Sequence, residues 1–123
     1  MSTKHVVTIE RFKKDIMSKE EQTKEYQYLF RSRINLFIIN EIGVAMCRKV
    51  DICFEGICEA IPKRLGSRSS ILSILNEGVE RSYLCKSVSR EDRRLRVYCL
   101  SSDFFELWKG WVERLGEGYR EVG

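Results

Sequence analysis

Five cysteines, Cys47, Cys53, Cys58, Cys85 and Cys99, and one histidine, His5, are the side chains of this chain best suited to metal or nucleophile chemistry. Their spacing argues against both. A zinc site takes about four Cys or His ligands at motif-like intervals, whereas here no CxxC pair occurs and the histidine stands alone near a terminus expected to fray. One histidine assembles no Ser-His-Asp or Cys-His set, and the glycines form neither GxGxxG nor GxxxxGK[ST]. No metal, no cofactor and no enzymatic activity are expected. An odd cysteine count without an export signal also speaks against a disulfide framework. The cysteines are therefore expected as small buried hydrophobes, with Cys85, flanked by Arg81 and Lys86, the one most suited to redox chemistry.

Basic side chains are the second chemically marked set. Between Lys63 and Arg96 lie nine of them, Lys63, Arg64, Arg68, Arg81, Lys86, Arg90, Arg93, Arg94 and Arg96, against four acids, Glu77, Glu80, Glu91 and Asp92. This segment carries +5, while the thirteen basic and fourteen acidic residues elsewhere carry −1, so the whole positive excess of the +4 chain sits in about a quarter of its length. A phosphate-facing surface needs that asymmetry, because affinity for nucleic acid comes largely from counterion release.

The elements that must position these cations follow from periodicity. At 123 residues, 43% hydrophobic and 33% charged, the chain is expected to fold as one domain over 1–123. Its longest apolar stretch, 34–47, is interrupted by Asn35, Asn40 and Glu41 and falls short of the roughly 18–20 residues of a membrane span. No apolar leader is visible in 1–10, so a cytoplasmic location without membrane attachment is expected. Thr8 can cap a short helix over 8–18 with Ile9, Phe12 and Ile16 on one face. Ser18 and Glu21 form a capping box for a longer helix, along which Tyr26, Phe30, Ile34 and Ile38 repeat, ending near Cys47. Asp51 can cap a third helix that Pro62 terminates, and Ser67 a fourth over 68–81. Tyr83 to Val88 then reads as a strand. In the returning segment Leu95, Val97 and Cys99 alternate with Arg94, Arg96 and Tyr98, closing a hairpin. A last helix over 102–118 carries Phe104, Trp108, Trp111 and Leu115. The fold class is mostly α with a small β-hairpin, in winged helix-turn-helix order, with a core over 25–101. A helix fits the major groove of duplex DNA and a basic hairpin reaches a neighbouring minor groove.

Within this frame, Ser67 to Leu100 resembles the DNA-binding core of the MarR-type winged-helix transcription regulators. The resemblance is carried by Glu80-Arg81-Ser82-Tyr83-Leu84, by Asp92-Arg93-Arg94, and by Val97-Tyr98-Cys99-Leu100-Ser101. It implies a homodimeric regulator on palindromic double-stranded DNA, with helix 68–81 in the major groove and wing 85–99 in the minor groove. Arg94 matches the family's wing arginine and Asp92 the acid that supports it. Arg68, Ser69, Ser70 and Ser73 fall where the recognition helix meets bases and phosphates. Ser82 departs from the glycine usual after that helix, and Gly78 lies inside it.

The expected DNA-binding set is thus Lys63, Arg64, Ser67, Arg68, Ser69, Ser70, Ser73, Lys86, Arg90, Arg93 and Arg94. Ser67, Ser69 and Ser70 have a plainer alternative as an N-cap and its solvated first turn. Ile71, Leu75, Val79, Phe54, Ile57, Phe37 and Leu95 are expected to fill the core. That leaves Phe12, Ile16, Phe104, Trp108, Trp111 and Leu115 of the terminal helices as a dimer interface, the alternative being that the tryptophans belong to the chain's own core. A winged-helix module binding protein or nucleic acid without promoter-specific regulation is the other functional reading. The residues name no small-molecule effector.

Overall fold

The computed structural model describes residues 3–122, with side chains at 3–14 and 23–117. Among the described residues the order is α1 Thr3–Gln22, α2 Lys24–Leu29, α3 Arg33–Cys47, α4 Phe54–Ala60, α5 Arg68–Glu80, β1 Leu84–Val88, β2 Arg96–Leu100 and α6 Ser102–Val122. A 3₁₀ turn at Lys63–Leu65 joins α4 to α5. This is the winged helix-turn-helix order, with one antiparallel hairpin pairing Leu84 with Leu100 and Val88 with Arg96. No described helix is long and apolar enough to cross a membrane.

The expected long helix from Ser18 to Cys47 is instead broken twice. Thr23 turns to extended backbone and accepts the Tyr26 N–H at 3.2 Å, and Ser32 does the same for Asn35 at 3.3 Å. These hydroxyl caps prevail over the Ser18 capping box, so α1 runs straight through Ser18. Asn35, buried at the elbow, donates from Nδ2 to the Tyr28 carbonyl at 3.1 Å and accepts from Ser32 Oγ at 2.8 Å. Thr8 is not a cap either. It lies within α1, and its hydroxyl donates to the Lys4 carbonyl at 3.0 Å. Helix α4 opens at Phe54 rather than after Asp51, because Ile52 and Cys53 are drawn to the outer edge of β2. There the Tyr98 N–H donates to the Ile52 carbonyl at 2.9 Å and Cys53 pairs with Val97. Pro62 stops the helix at Ile61 as expected.

Tyr28, Leu29, Ile38, Ile39, Ile42, Ile57, Leu75 and Phe104 are the most completely enclosed large side chains of the core. Two expected core members are not there. Phe37 is exposed, because α3 turns Ile38, Ile39 and Ile42 inward. Leu95 is exposed because β2 has the opposite parity to that expected. Tyr98 and Leu100 face the core, and Leu95 stands beyond the strand in the wing loop.

Phe104, Trp108 and Trp111 of α6 are enclosed within the chain, the alternative to their place at a dimer interface. Phe104 stacks on Tyr83 at 5.3 Å and meets Tyr28 edge-on at 6.1 Å. Trp111 meets Phe30 at 5.3 Å and Phe12 at 6.3 Å. Trp108 lies on Gly43, where an added Cβ would stand 2.5 Å from the indole, and its Nε1 donates to Asn40 Oδ1 at 2.8 Å. The physical reason is that several elements meet on α6: α2 and Tyr83 cover Phe104, α3 covers Trp108, and α1, which packs along α6, covers Trp111 with Phe12. Phe12 and Leu115 are half-buried against the same cluster, and the Ile16 side chain lies outside the described residues. The cysteines are also corrected: Cys47 and Cys85 are exposed, and Cys53, Cys58 and Cys99 are half-buried.

Candidate nucleic-acid interface

Helix α5 begins where Ser67 accepts the Ser70 N–H at 3.1 Å, so the serine that caps it also opens its exposed face. Ile71 and Leu75 point inward, while Arg68, Ser69, Ser70, Leu72, Ser73, Asn76 and Glu80 are exposed. Leu72 and Asn76 were not among the expected site residues. Their helical spacing with Ser69 and Ser73 was the available signal: the four line one shallow groove with Glu77 and Glu80. An aliphatic group suits a thymine methyl and a carboxamide suits adenine.

Three contacts hold the inner side of α5. The Tyr28 hydroxyl donates to the Ile74 carbonyl at 2.7 Å, and burial keeps that phenol protonated well above its ordinary range. Arg31 grips Glu77 with two hydrogen bonds of 2.7 and 2.6 Å, and Arg81 reaches the same carboxylate at 3.2 Å. Hydrogen bonding from Arg31 holds the Glu77 carboxyl below the usual carboxylate range. Gly78 lies under Leu84 and the Tyr28 hydroxyl, where a Cβ would come within 2.6 Å of each. The glycine that weakens the helix locally is what lets it sit this close to β1.

The helix ends in a Schellman turn. Tyr83 N–H donates to the Gly78 carbonyl at 2.8 Å and Ser82 N–H to that of Val79 at 3.1 Å, with Ser82 at φ +64°. Ser82 therefore adopts the left-handed backbone that its glycine-favouring position requires.

The wing is built by a short chain of local bonds. Ser89, buried at the end of β1, accepts the N–H groups of Glu91 and Asp92 at 3.2 and 3.4 Å. This turns Asp92 back onto Arg94, whose N–H and Nε donate to Oδ1 at 3.0 and 3.1 Å and whose Nη2 donates to Oδ2 at 3.1 Å. Those hydrogen bonds hold the Asp92 carboxyl below its ordinary range. The Arg94 side chain is 89% exposed, so its direction is set although its surface stays open. Arg90 and Arg93 are exposed beside it. Lys86 lies over the Tyr98 ring at 5.8 Å, on the hairpin face opposite Cys85.

Arg68 is the one cation of α5, and it is engaged. Its guanidinium lies over the Phe54 ring at 5.0 Å and forks onto Glu55 at the start of α4, Nη1 to Oε2 at 2.9 Å and Nη2 to Oε1. Sequence spacing did not reveal this pair, because the partners are brought together only by the crossing of α4 and α5. Lys63 and Arg64 lie exposed on the 3₁₀ turn before Ser67. The turn, the open face of α5 and the wing each carry exposed cations or small polar groups, and α5 packs on β1.

No protein-family model and no curated protein matches the sequence. Among solved structures the chain is similar to MarR-family regulators. ZitR of Lactococcus lactis, as its E41A mutant, superposes with a TM-score of 0.52 at 18% identity, over 100% of this chain and 84% of that one. BpsR of Bordetella bronchiseptica, whose DNA binding is regulated by 6-hydroxynicotinic acid, gives 0.51 at 12% identity over 98% and 79%. YusO of Bacillus subtilis gives 0.50 at 10% identity over 99% and 81%. At such identities the likeness is one of fold, and the fold of this chain is the winged helix-turn-helix.

Proposed function

We propose that this chain is a transcription regulator that binds double-stranded DNA. The observation that carries the reading is the wing: Arg94 is aimed by Asp92 yet open to solvent, at the tip of a basic hairpin that follows directly from a helix with an open polar face. In this reading α5 enters the major groove, with Ser69, Leu72, Ser73 and Asn76 toward the base edges. Lys63, Arg64, Ser67 and Ser70 lie toward phosphate, Arg94 enters the minor groove, and Lys86, Arg90 and Arg93 lie along the backbone. Arg68 acts from its clamp on Glu55, or exchanges that carboxylate for DNA.

The chain acts as a homodimer on a palindromic site. With the tryptophans enclosed, the exposed large apolar side chains of the terminal helices, among the described residues, are Val6, Val7 and Ile9 of α1 and Val112 of α6. Pairing through these helices sets two copies of α5 about one DNA turn, ~34 Å, apart.

The test is a binding titration on duplexes selected from random sequence. A dimer neutralising roughly 6–10 phosphates loses about 10³–10⁵ in affinity between 50 and 200 mM salt. Arg94→Ala weakens binding about tenfold or more without lowering thermal stability. A flat salt dependence, a preference for single strands, or an Arg94→Ala variant that binds like the parent would overturn the reading.

A further inference from the structure

Cys85 and Cys99 are direct cross-strand partners in the wing. They lie on the outer face of the hairpin, Cys85 exposed and Cys99 half-buried under the Ile52–Cys53 edge. Bonds from Ser101 N–H to the Tyr83 carbonyl and from Ser89 N–H to the Leu95 carbonyl fix the alternation of the ladder, and it makes 85/99 a hydrogen-bonded pair. Facing Cβ atoms in such ladders stand roughly 4.5–5.5 Å apart, whereas a disulfide draws them to about 3.8 Å. The bond is thus within reach, but closing it pulls the strands together and twists the hairpin. Disulfides that are exposed and strained in this way are the ones readily reduced again.

We infer that Cys85 and Cys99 form a reversible disulfide across the wing, and that its closure alters how the wing meets DNA. Cys85 is the attacking sulfur, being exposed. Burial, the neighbouring Cys85 sulfur and the Asp51 carboxylate all push the Cys99 thiol up, which leaves the first attack to Cys85. With a peroxide as oxidant, the Cys85 thiolate attacks one oxygen, the O–O bond breaks, hydroxide leaves and a sulfenic acid remains. Cys99 sulfur then attacks Cys85 sulfur. The S–S bond forms as the S–O bond breaks, and the departing hydroxide takes the Cys99 proton as water. Two thiols lose two electrons, and one peroxide becomes two waters. A small thiol restores the pair by exchange.

The pair stands near the base of the hairpin, four residues along β2 from Leu95, so a change of twist there is carried roughly 13 Å to the wing loop. Cys53 stands only diagonally from Cys99, across from Val97 on the other edge of β2, and is the competing partner.

The disulfide rests on the register alone, while its effect on affinity rests on the DNA-binding reading, so the two are measured separately. The reduced full chain is treated with hydrogen peroxide, alkylated and digested with trypsin. Cleavage after Arg81, Lys86 and Arg96 places the two cysteines on different peptides. The expected product is one cross-linked pair, 82–86 with 97–109, short of two hydrogens, formed within single chains, lost in Cys85→Ser and in Cys99→Ser, and reversed by dithiothreitol. A cross-link to Cys53 or between chains, or Cys85 oxidised with Cys99 still alkylated, overturns the disulfide. In the second arm, oxidised protein binds selected duplex about tenfold more weakly than reduced protein, the size of one lost arginine contact, and Cys85→Ser is indifferent to peroxide. A complete cross-link with unchanged affinity overturns the coupling. A reduced protein that binds no duplex overturns the DNA reading and leaves the cross-link result standing.

Discussion

Trp108 in α6 is 5% exposed, and the Arg94 side chain at the wing tip is 89% exposed. Each has one polar anchor, Asn40 for the indole and Asp92 for the guanidinium. On the terminal-helix side the anchor only completes a site made by packing: Gly43 opens the space, and Phe12, Phe30 and Trp111 fill the rest of the layer. On the wing the anchor is the whole site, since nothing encloses Arg94. The difference teaches which perturbation each region feels. Enclosed aromatic area contributes stability, while an open, pre-aimed cation costs little to hold and remains available to a ligand.

The sharpest way to break this comparison is Trp108→Ala. It removes an enclosed indole and strands Asn40, and should lower stability by about 3–5 kcal/mol in chemical denaturation. A variant of near-parental stability that merely dissociates in sedimentation would return Trp108 to an interface. Gly78→Ala comes next. The new methyl meets Leu84 and the Tyr28 hydroxyl, so overpacking of about 1–3 kcal/mol outweighs the helix-propensity gain of roughly 1 kcal/mol, and the thermal midpoint falls. If the midpoint rises, α5 does not sit on β1 as closely as described.

A smaller effect of opposite sign is expected at Ser82. Left-handed backbone costs an L-residue roughly 1–2 kcal/mol, and glycine returns part of that gain in unfolded-state entropy. Ser82→Gly should therefore raise stability by about 0.5–1 kcal/mol, while Ser82→Val lowers it. The smallest effect is electrostatic. The Glu77 carboxyl titrates below its unfolded value, because Arg31 holds the charged form. Its stabilisation is therefore complete above the ordinary carboxylate range and lost as pH falls through the depressed value. The pair is partly exposed, so at most about 1 kcal/mol is at stake. Glu77→Gln should be less stable at neutral pH and lack that part of the acid decline. Parallel pH profiles for parent and variant would show the pair to be inert.

Local chemistry was enough to mark Ser67 as a cap, Pro62 as a stop and the hairpin after Ser82, because each depends on residues within a few positions of one another, while the Asp92–Arg94 bracket was legible only through the family resemblance. The same holds for the charge: a +5 segment is a property of the chain before it folds. What periodicity could not decide was competition among signals of equal local merit. Ser18, Thr23 and Ser32 are all plausible caps, and only packing around the Asn35 elbow favoured the last two. Leu95 and Tyr98 are both apolar enough to face inward, and pairing with β1 and Ile52 fixed the parity that buries Tyr98.

The amino-acid sequence by itself therefore determined the order of helix, hairpin and helix from Ser67 onward and the cation-rich segment, since these follow from short-range preference and from composition. Tertiary structure alone decided that Phe104, Trp108 and Trp111 are core, that Arg68 is clamped by Glu55, and that Cys85 and Cys99 face each other. Those outcomes depend on which surfaces meet: α1, α2 and α3 each supply residues that close over α6, α4 crosses α5 at Phe54, and strand register makes residues fourteen positions apart direct cross-strand partners.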